Sequence, residues 1–202
     1  MYDPYPKVGL PYDVNTKVHS IASSSNGKVF CLASLNTTHD NWQDHRDAEL
    51  DRLRSFLSKK DGYVLGVKLA PPHTCLPLTS NIIGDIVETV HIHDGNNKVI
   101  ATHIGTTPFC GPLGKQFGIT CLCGDEYVNP RHLERYIAKY PDITFALLHS
   151  GHEFLLPGDD CYHNFKYTDE CIALAKKYPN VYLSITSSVA HSMFLRAFFH
   201  WI

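Results

Sequence analysis

The feature that most restricts the fold of this chain is an alternation. Five short runs rich in apolar and β-branched residues begin at Lys28, Tyr63, Val99, Ile143 and Val181. Between them lie segments whose apolar residues recur at helical spacing. Asp44 to Lys60 puts Leu50, Leu53, Phe56 and Leu57 on one face, and Asn81 to His91 does the same with Ile82, Ile83, Ile86, Val87 and Val90. A third face, opened by Pro130 in the first turn, carries His132, Leu133, Tyr136, Ile137 and Tyr140; a fourth carries Cys171, Ile172, Leu174, Ala175 and Tyr178. The runs recur at intervals of roughly 35 to 45 residues, which suits βαβ units with parallel pairing and right-handed crossovers. The chain is therefore read as α/β with a parallel sheet.

Two architectures share this pattern. One is the (β/α)₈ barrel, which typically takes about 250 residues; the other is the open doubly wound sheet. No Gly-x-Gly-x-x-Gly follows the first strand, and no phosphate-loop motif occurs. That removes the usual reason to prefer the doubly wound sheet. The domain reading is an irregular N-terminal arm over 1–28, a partial (β/α) barrel over 29–190 and an apolar tail over 191–202. Segment 106–129 reads as a long loop, and 151–165 as another. Loops longer than about 15 residues are usually functional or disordered.

Composition narrows the partners. Lys and Arg number 18 against 20 Asp and Glu, for a net charge of −2. With no basic run, neither nucleic acid nor an anionic membrane is expected as a partner. No apolar run approaches the roughly 18 residues that span a bilayer, and Met1-Tyr-Asp-Pro-Tyr-Pro6 lacks the pattern of a secretory signal. The seven scattered cysteines read as reduced thiols, which points to the cytoplasm.

Two strands carry the chemistry. Val99-Ile-Ala-Thr-His103-Ile-Gly105 and Ile143-Thr-Phe-Ala-Leu-Leu-His149-Ser-Gly151 both end in His-x-Gly. In a parallel barrel, side chains at strand C-termini converge on one rim. Adjacent strands lie about 4.8 Å apart, so His103 and His149 could reach one ion or one substrate. Imidazole suits divalent transition metals, zinc above all. Lys68 interrupts the apolar second strand with a cation. It reads either as a lysine snorkelling to water or as a charge aimed at the same rim, holding a carboxylate or supporting a metal ligand.

Other groups have plainer readings. His91-Ile-His93 looks like a metal-binding pair but falls at a helix C-terminus, where the dipole favours histidine. His152 and Glu153 are candidate proton shuttles whose plainer reading is as exposed loop residues. Cys110 with Cys121-Leu-Cys123 resembles a thiolate cluster, but its spacing is tight for structural zinc.

With these residues in place, the chain resembles the amidohydrolase-related family of metal-dependent hydrolases, which includes decarboxylases similar to aminocarboxymuconate-semialdehyde decarboxylase. The resemblance rests on an ordered set: Gly66-Val-Lys68-Leu69, Thr102-His103-Ile-Gly105, Tyr140-Pro-Asp-Ile-Thr-Phe-Ala-Leu-Leu-His149-Ser-Gly151 and Tyr178-Pro-Asn-Val-Tyr-Leu183. It implies a TIM barrel holding one divalent metal, most often zinc, with manganese as an alternative. By resemblance His103 is the metal ligand on the fifth barrel strand. His149 is the sixth-strand histidine, which binds the ion or assists proton transfer. A metal-activated water would then hydrolyse, or help to decarboxylate, a small carboxylated or cyclic substrate. The family's first-strand His-x-His pair and eighth-strand Asp have no counterpart here, so the resemblance covers about strands three to seven, roughly five of eight. The expectation is a truncated product of a longer gene, or a chain that completes itself as a homo-oligomer. The competing functional reading is a catalytically inactive remnant that acts through association.

Overall fold

The computed structural model describes residues 14–37, 42–110, 112–116, 118, 121–152 and 166–184. Five strands, β1 (Cys31–Ala33), β2 (Val64–Leu69), β3 (Val99–His103), β4 (Thr144–Leu148) and β5 (Val181–Ser184), form one sheet in the order β1-β2-β3-β4-β5. Every neighbouring pair is parallel. Each crossover adds its strand to the same side. A doubly wound sheet reverses direction at a switch point, so this order is that of a barrel wall, with all strand C-termini on one rim.

Helices α2 (Trp42–Leu57), α4 (Asn81–His91), α7 (Glu134–Lys139) and α8 (Lys166–Lys177) follow the strands. Their apolar faces are the ones that periodicity marks: Leu50, Leu53, Phe56, Leu57, Ile83, Ile86, Val87 and Val90 are all buried. They pack with Val67, Ile100, Phe145 and Leu147 from the strands in one core. Ile82 is only half-buried, at the margin of the α4 face. Among the described residues no helix is long and apolar enough to cross a membrane.

Three segments differ from the sequence reading. The arm read as irregular contains helix α1 (Val14–Ser23). Val14, Val18 and Ala22 are spaced four apart, a face too short to stand out among its Ser and Asn neighbours. The first strand is shorter than the run from Lys28 to Leu35, because Val29 and Phe30 stay exposed ahead of the ladder. The loop over 106–129 contains a 3₁₀ turn (Pro108–Cys110) and helices α5 (Pro112–Gln116) and α6 (Asp125–Val128), after the single turn α3 (Pro71–Thr74) that follows β2. The apolar tail, residues 1–13 and most of the 151–165 loop lie outside the described residues.

Helix α1 closes the free edge of β1 through one side chain. Buried Asn15 donates from Nδ2 to the Ser34 carbonyl at 2.9 Å, and its Oδ1 accepts from the Ser34 N–H at 2.9 Å. The carboxamide thus mimics a strand's peptide and satisfies groups that an edge leaves unpaired. Asn15→Ala is expected to cost about 1–2 kcal/mol in urea unfolding. Asn15→Asp, which keeps the acceptor and loses the donor, should itself be destabilised; a variant as stable as the native chain would show that the edge needs no cap.

Candidate functional site

Strand β3 is buried from Ile100 to His103, which follows from its central place in the sheet; Ile100 and Thr102 are 0 % exposed and His103 is 6 % exposed. Its register sets Lys68 of β2 opposite Ala101. Strand side chains alternate, so Lys68 shares the face of Ala101 and His103, while Val67 and Ile100 face the helices. Both the lysine and the histidine therefore look toward the rim from one side of the sheet.

His103 is fixed in one protonation state. It hydrogen-bonds the Thr106 backbone, and its Nε2 is buried with no hydrogen-bond partner among the described residues. The Thr106 bond therefore belongs to Nδ1, which donates its proton to the carbonyl, and Nε2 carries a bare lone pair. Burial, followed by neighbouring His149 and His73, pushes the His103 pKa down to about 3. The ring is neutral at physiological pH.

His149 reaches the same place by a different route from the one the sequence implies. The two histidines do not occupy matching strand positions: His103 lies opposite Leu148. His149 is one residue beyond, where an extended chain would turn its side chain to the helix face. Instead the backbone enters the left-handed region at His149 (φ 65°) and Ser150 (φ 49°). Such conformations are costly in non-glycine residues and concentrate at functional sites. The turn is held by the His152 N–H on the His149 carbonyl at 3.0 Å and by the Ser150 hydroxyl on the Ser184 carbonyl at 3.2 Å. It brings the His149 ring to 4.4 Å from that of His103, centroid to centroid, tilted by 52°. Burial first, then the charges of Lys68 and His152, lowers the His149 pKa.

A third imidazole joins them. His73 sits on α3, just past the end of β2, and stands edge-on to His103 at 5.0 Å. Its Nδ1 lies 3.4 Å from the Cys121 Sγ, and its ring 6.5 Å from that of Phe109. Burial and the charge of Lys68 lower its pKa. The sequence reading passed over His73. The signal was its place: a histidine within a few residues of a barrel strand's C-terminus lies in the zone already assigned to His103 and His149.

These groups line a cavity of about 620 Å³. Val14 and Val18 of α1, Leu35 and Phe109 give it apolar walls. Lys68 is its charged side chain, and no described lining residue is acidic. Lys68 is an exposed residue, yet the surrounding protein lowers its pKa by desolvation, and no described acidic neighbour offsets the effect. Among the described residues no group of three or more His, Cys, Asp or Glu is arranged to hold a metal ion.

The remaining candidates lie apart or change character. His91 ends α4 and pairs with Asp142 at 3.1 Å, at the opposite edge of the sheet, where the strands begin. His152 is half-buried and acts electrostatically on His149; Glu153 lies outside the described residues. The reading of the seven cysteines as reduced thiols is corrected at two of them: Cys31, Cys75, Cys121 and Cys171 keep their thiols and Cys161 lies outside the described residues, whereas Cys110 and Cys123 form a disulfide. Their Cα atoms stand 5.9 Å apart, a separation that sequence spacing does not disclose.

No protein-family model matches the sequence. Protein fluG of Emericella nidulans is 42% identical over 57 residues, which make up 28% of this chain and 5% of that protein. The crystal structure of an uncharacterized TIM-barrel protein from Bordetella bronchiseptica matches 93% of this chain with a TM-score of 0.59 and 16% identity. This chain covers 54% of it, so it spans about half the length of that neighbour and a small part of the curated relative. With the strand order, this likeness establishes the fold as part of an α/β TIM barrel.

Proposed function

We propose that this chain carries part of the active site of a metal-dependent hydrolase or non-oxidative decarboxylase of the amidohydrolase-related kind, acting on a small carboxylated or cyclic substrate. The observation that carries the reading is the buried Nε2 of His103, which has no hydrogen-bond partner among the described residues. An unmet buried polar atom costs about 1–3 kcal/mol, and an imidazole whose Nδ1–H is committed to a carbonyl is in the form that ligates a metal through Nε2. The His149 ring beside it supplies a second nitrogen. A catalytic zinc normally takes three protein ligands, so the reading requires one more beyond this pair.

The chain's own groups have separable tasks. Lys68 holds the substrate carboxylate, for which the absence of an acid from the described cavity lining leaves it available. Val18, Leu35 and Phe109 enclose the carbon skeleton and exclude water, which strengthens the Lys68–carboxylate attraction. His149, neutral because burial lowers its pKa, offers the ion its one unprotonated ring nitrogen. His103 holds its orientation through Thr106. A bound divalent ion would supply Lewis acidity and lower the pKa of a water toward neutrality.

Metal analysis tests this. Protein loaded with zinc or manganese and freed of excess should retain close to one equivalent. His103→Ala and His149→Ala, with native circular dichroism, should each retain at least tenfold less. No retained metal in the native chain would overturn the proposal and favour the reading in which the chain acts by association.

A further inference from the structure

The geometry points to a thiol–disulfide exchange site on the rim: the Cys110–Cys123 bond is an exchangeable clamp that holds His73 in the cavity, opened by a dithiol reductant. The inference stands on contacts alone and does not depend on a metal. Four of the seven cysteines gather here. Cys110 and Cys123 are bonded across a separation of 13 residues. Cys121 is half-buried, and Cys75 is exposed at the end of α3 and close enough for its charge to act on Cys121.

Each arm of the bonded pair touches His73. On one side Phe109, directly before Cys110, places its ring 6.5 Å from the imidazole. On the other, Cys121, two residues before Cys123, sets its Sγ 3.4 Å from Nδ1. The next residue, Leu122, donates its N–H to the Pro72 carbonyl at 2.9 Å. The disulfide thus fixes the spacing between two supports of one ring. That ring lies 5.0 Å from His103.

The exchange balances without a further reactant. One thiolate of the dithiol attacks a sulfur of the clamp and forms a mixed disulfide, and the other cysteine leaves as a thiolate that takes a proton from water. The second thiol of the reductant, deprotonated, attacks its partner's sulfur in the mixed disulfide and expels the remaining cysteine, which is protonated in turn. Two electrons pass to the protein, and the dithiol departs as its own disulfide. Opened, the clamp no longer couples Phe109 to Cys121, and His73 loses its fixed support.

Alkylation mapping and amide exchange on the full chain test this. Before reduction, Cys110 and Cys123 should resist N-ethylmaleimide even in denaturant, whereas Cys121 labels; after dithiothreitol both should label. Amide exchange over 72–75 and 121–123 should quicken at least tenfold on reduction. The C110S/C123S variant should show the fast rates at every redox potential, and Cys75→Ser should behave as the native chain. If C110S/C123S does not fold, the oxidised and reduced native protein decide the matter. Labelling of Cys110 and Cys123 before reduction, or equal exchange rates in the two states, would overturn the inference.

Discussion

Gly105→Ala is expected to destabilise the chain by about 4 kcal/mol or more, among the largest losses a single methyl can cause. Gly105 follows His103 by two residues and sits at φ +92°. A Cβ there would lie 2.1 Å from the His152 carbonyl oxygen and 2.7 Å from the Gly151 carbonyl carbon. Both are backbone atoms and cannot rotate aside, so the turn that carries His149 must move away from β3. The disfavoured dihedral adds roughly 1–2 kcal/mol of its own. Gly62 offers a control. It has φ +76° but nothing within 4 Å of a Cβ, so Gly62→Ala should cost only the dihedral part, about 1–2 kcal/mol. Guanidinium unfolding of both variants separates clash from strain. Equal losses would mean that the two strand ends do not approach each other closely. The same displacement should reduce metal retention in any Gly105→Ala protein that folds, since it parts His149 from His103.

Stability should fall steeply as the metal-free protein is acidified, and His103 should account for a defined share. Its pKa is about 3 in the folded state against an ordinary 6.5. Between these values the unfolded chain binds a proton at this site and the folded chain does not. Unfolding stability therefore rises with pH at up to about 1.4 kcal/mol per unit from this group. The contribution is fully present above pH 6.5 and is lost progressively as pH falls toward 3. His73, His149 and His152 are shifted in the same direction, and their effects add with the same sign. Urea unfolding from pH 7.5 downward, with chelator present, should show the native chain losing stability faster than His103→Gln. The difference in slope should be about 1 kcal/mol per unit near pH 5. Parallel curves would show that His103 takes up a proton in the folded protein and is not held neutral by burial.

Some of the site was legible because the relevant physics is local. A β-rich run ending in His-x-Gly announces a side chain at a strand terminus, and the two such runs, at His103 and His149, do end side by side. Lys68 stood out because a cation is costly inside an apolar strand. His73 was passed over because its helix is a single turn whose role depends on loops far along the chain. Helix α1 is hard to read because the three apolar positions of its inward face are few beside the polar ones, and its task is done by buried Asn15, a residue that usually signals a turn.

The amino-acid sequence by itself determined the alternation of strands and helices, their inward faces and the strands that carry the histidines. Burial periodicity is a property of neighbours along the chain, and each segment states its own. Only the tertiary structure decided the one-sided winding β1 to β5, the left-handed turn that aims His149, the joining of Cys110 to Cys123 and the arrival of His73 beside His103. Each of these depends on how far crossovers and loops carry distant residues, and that distance is set by the packing of the whole sheet.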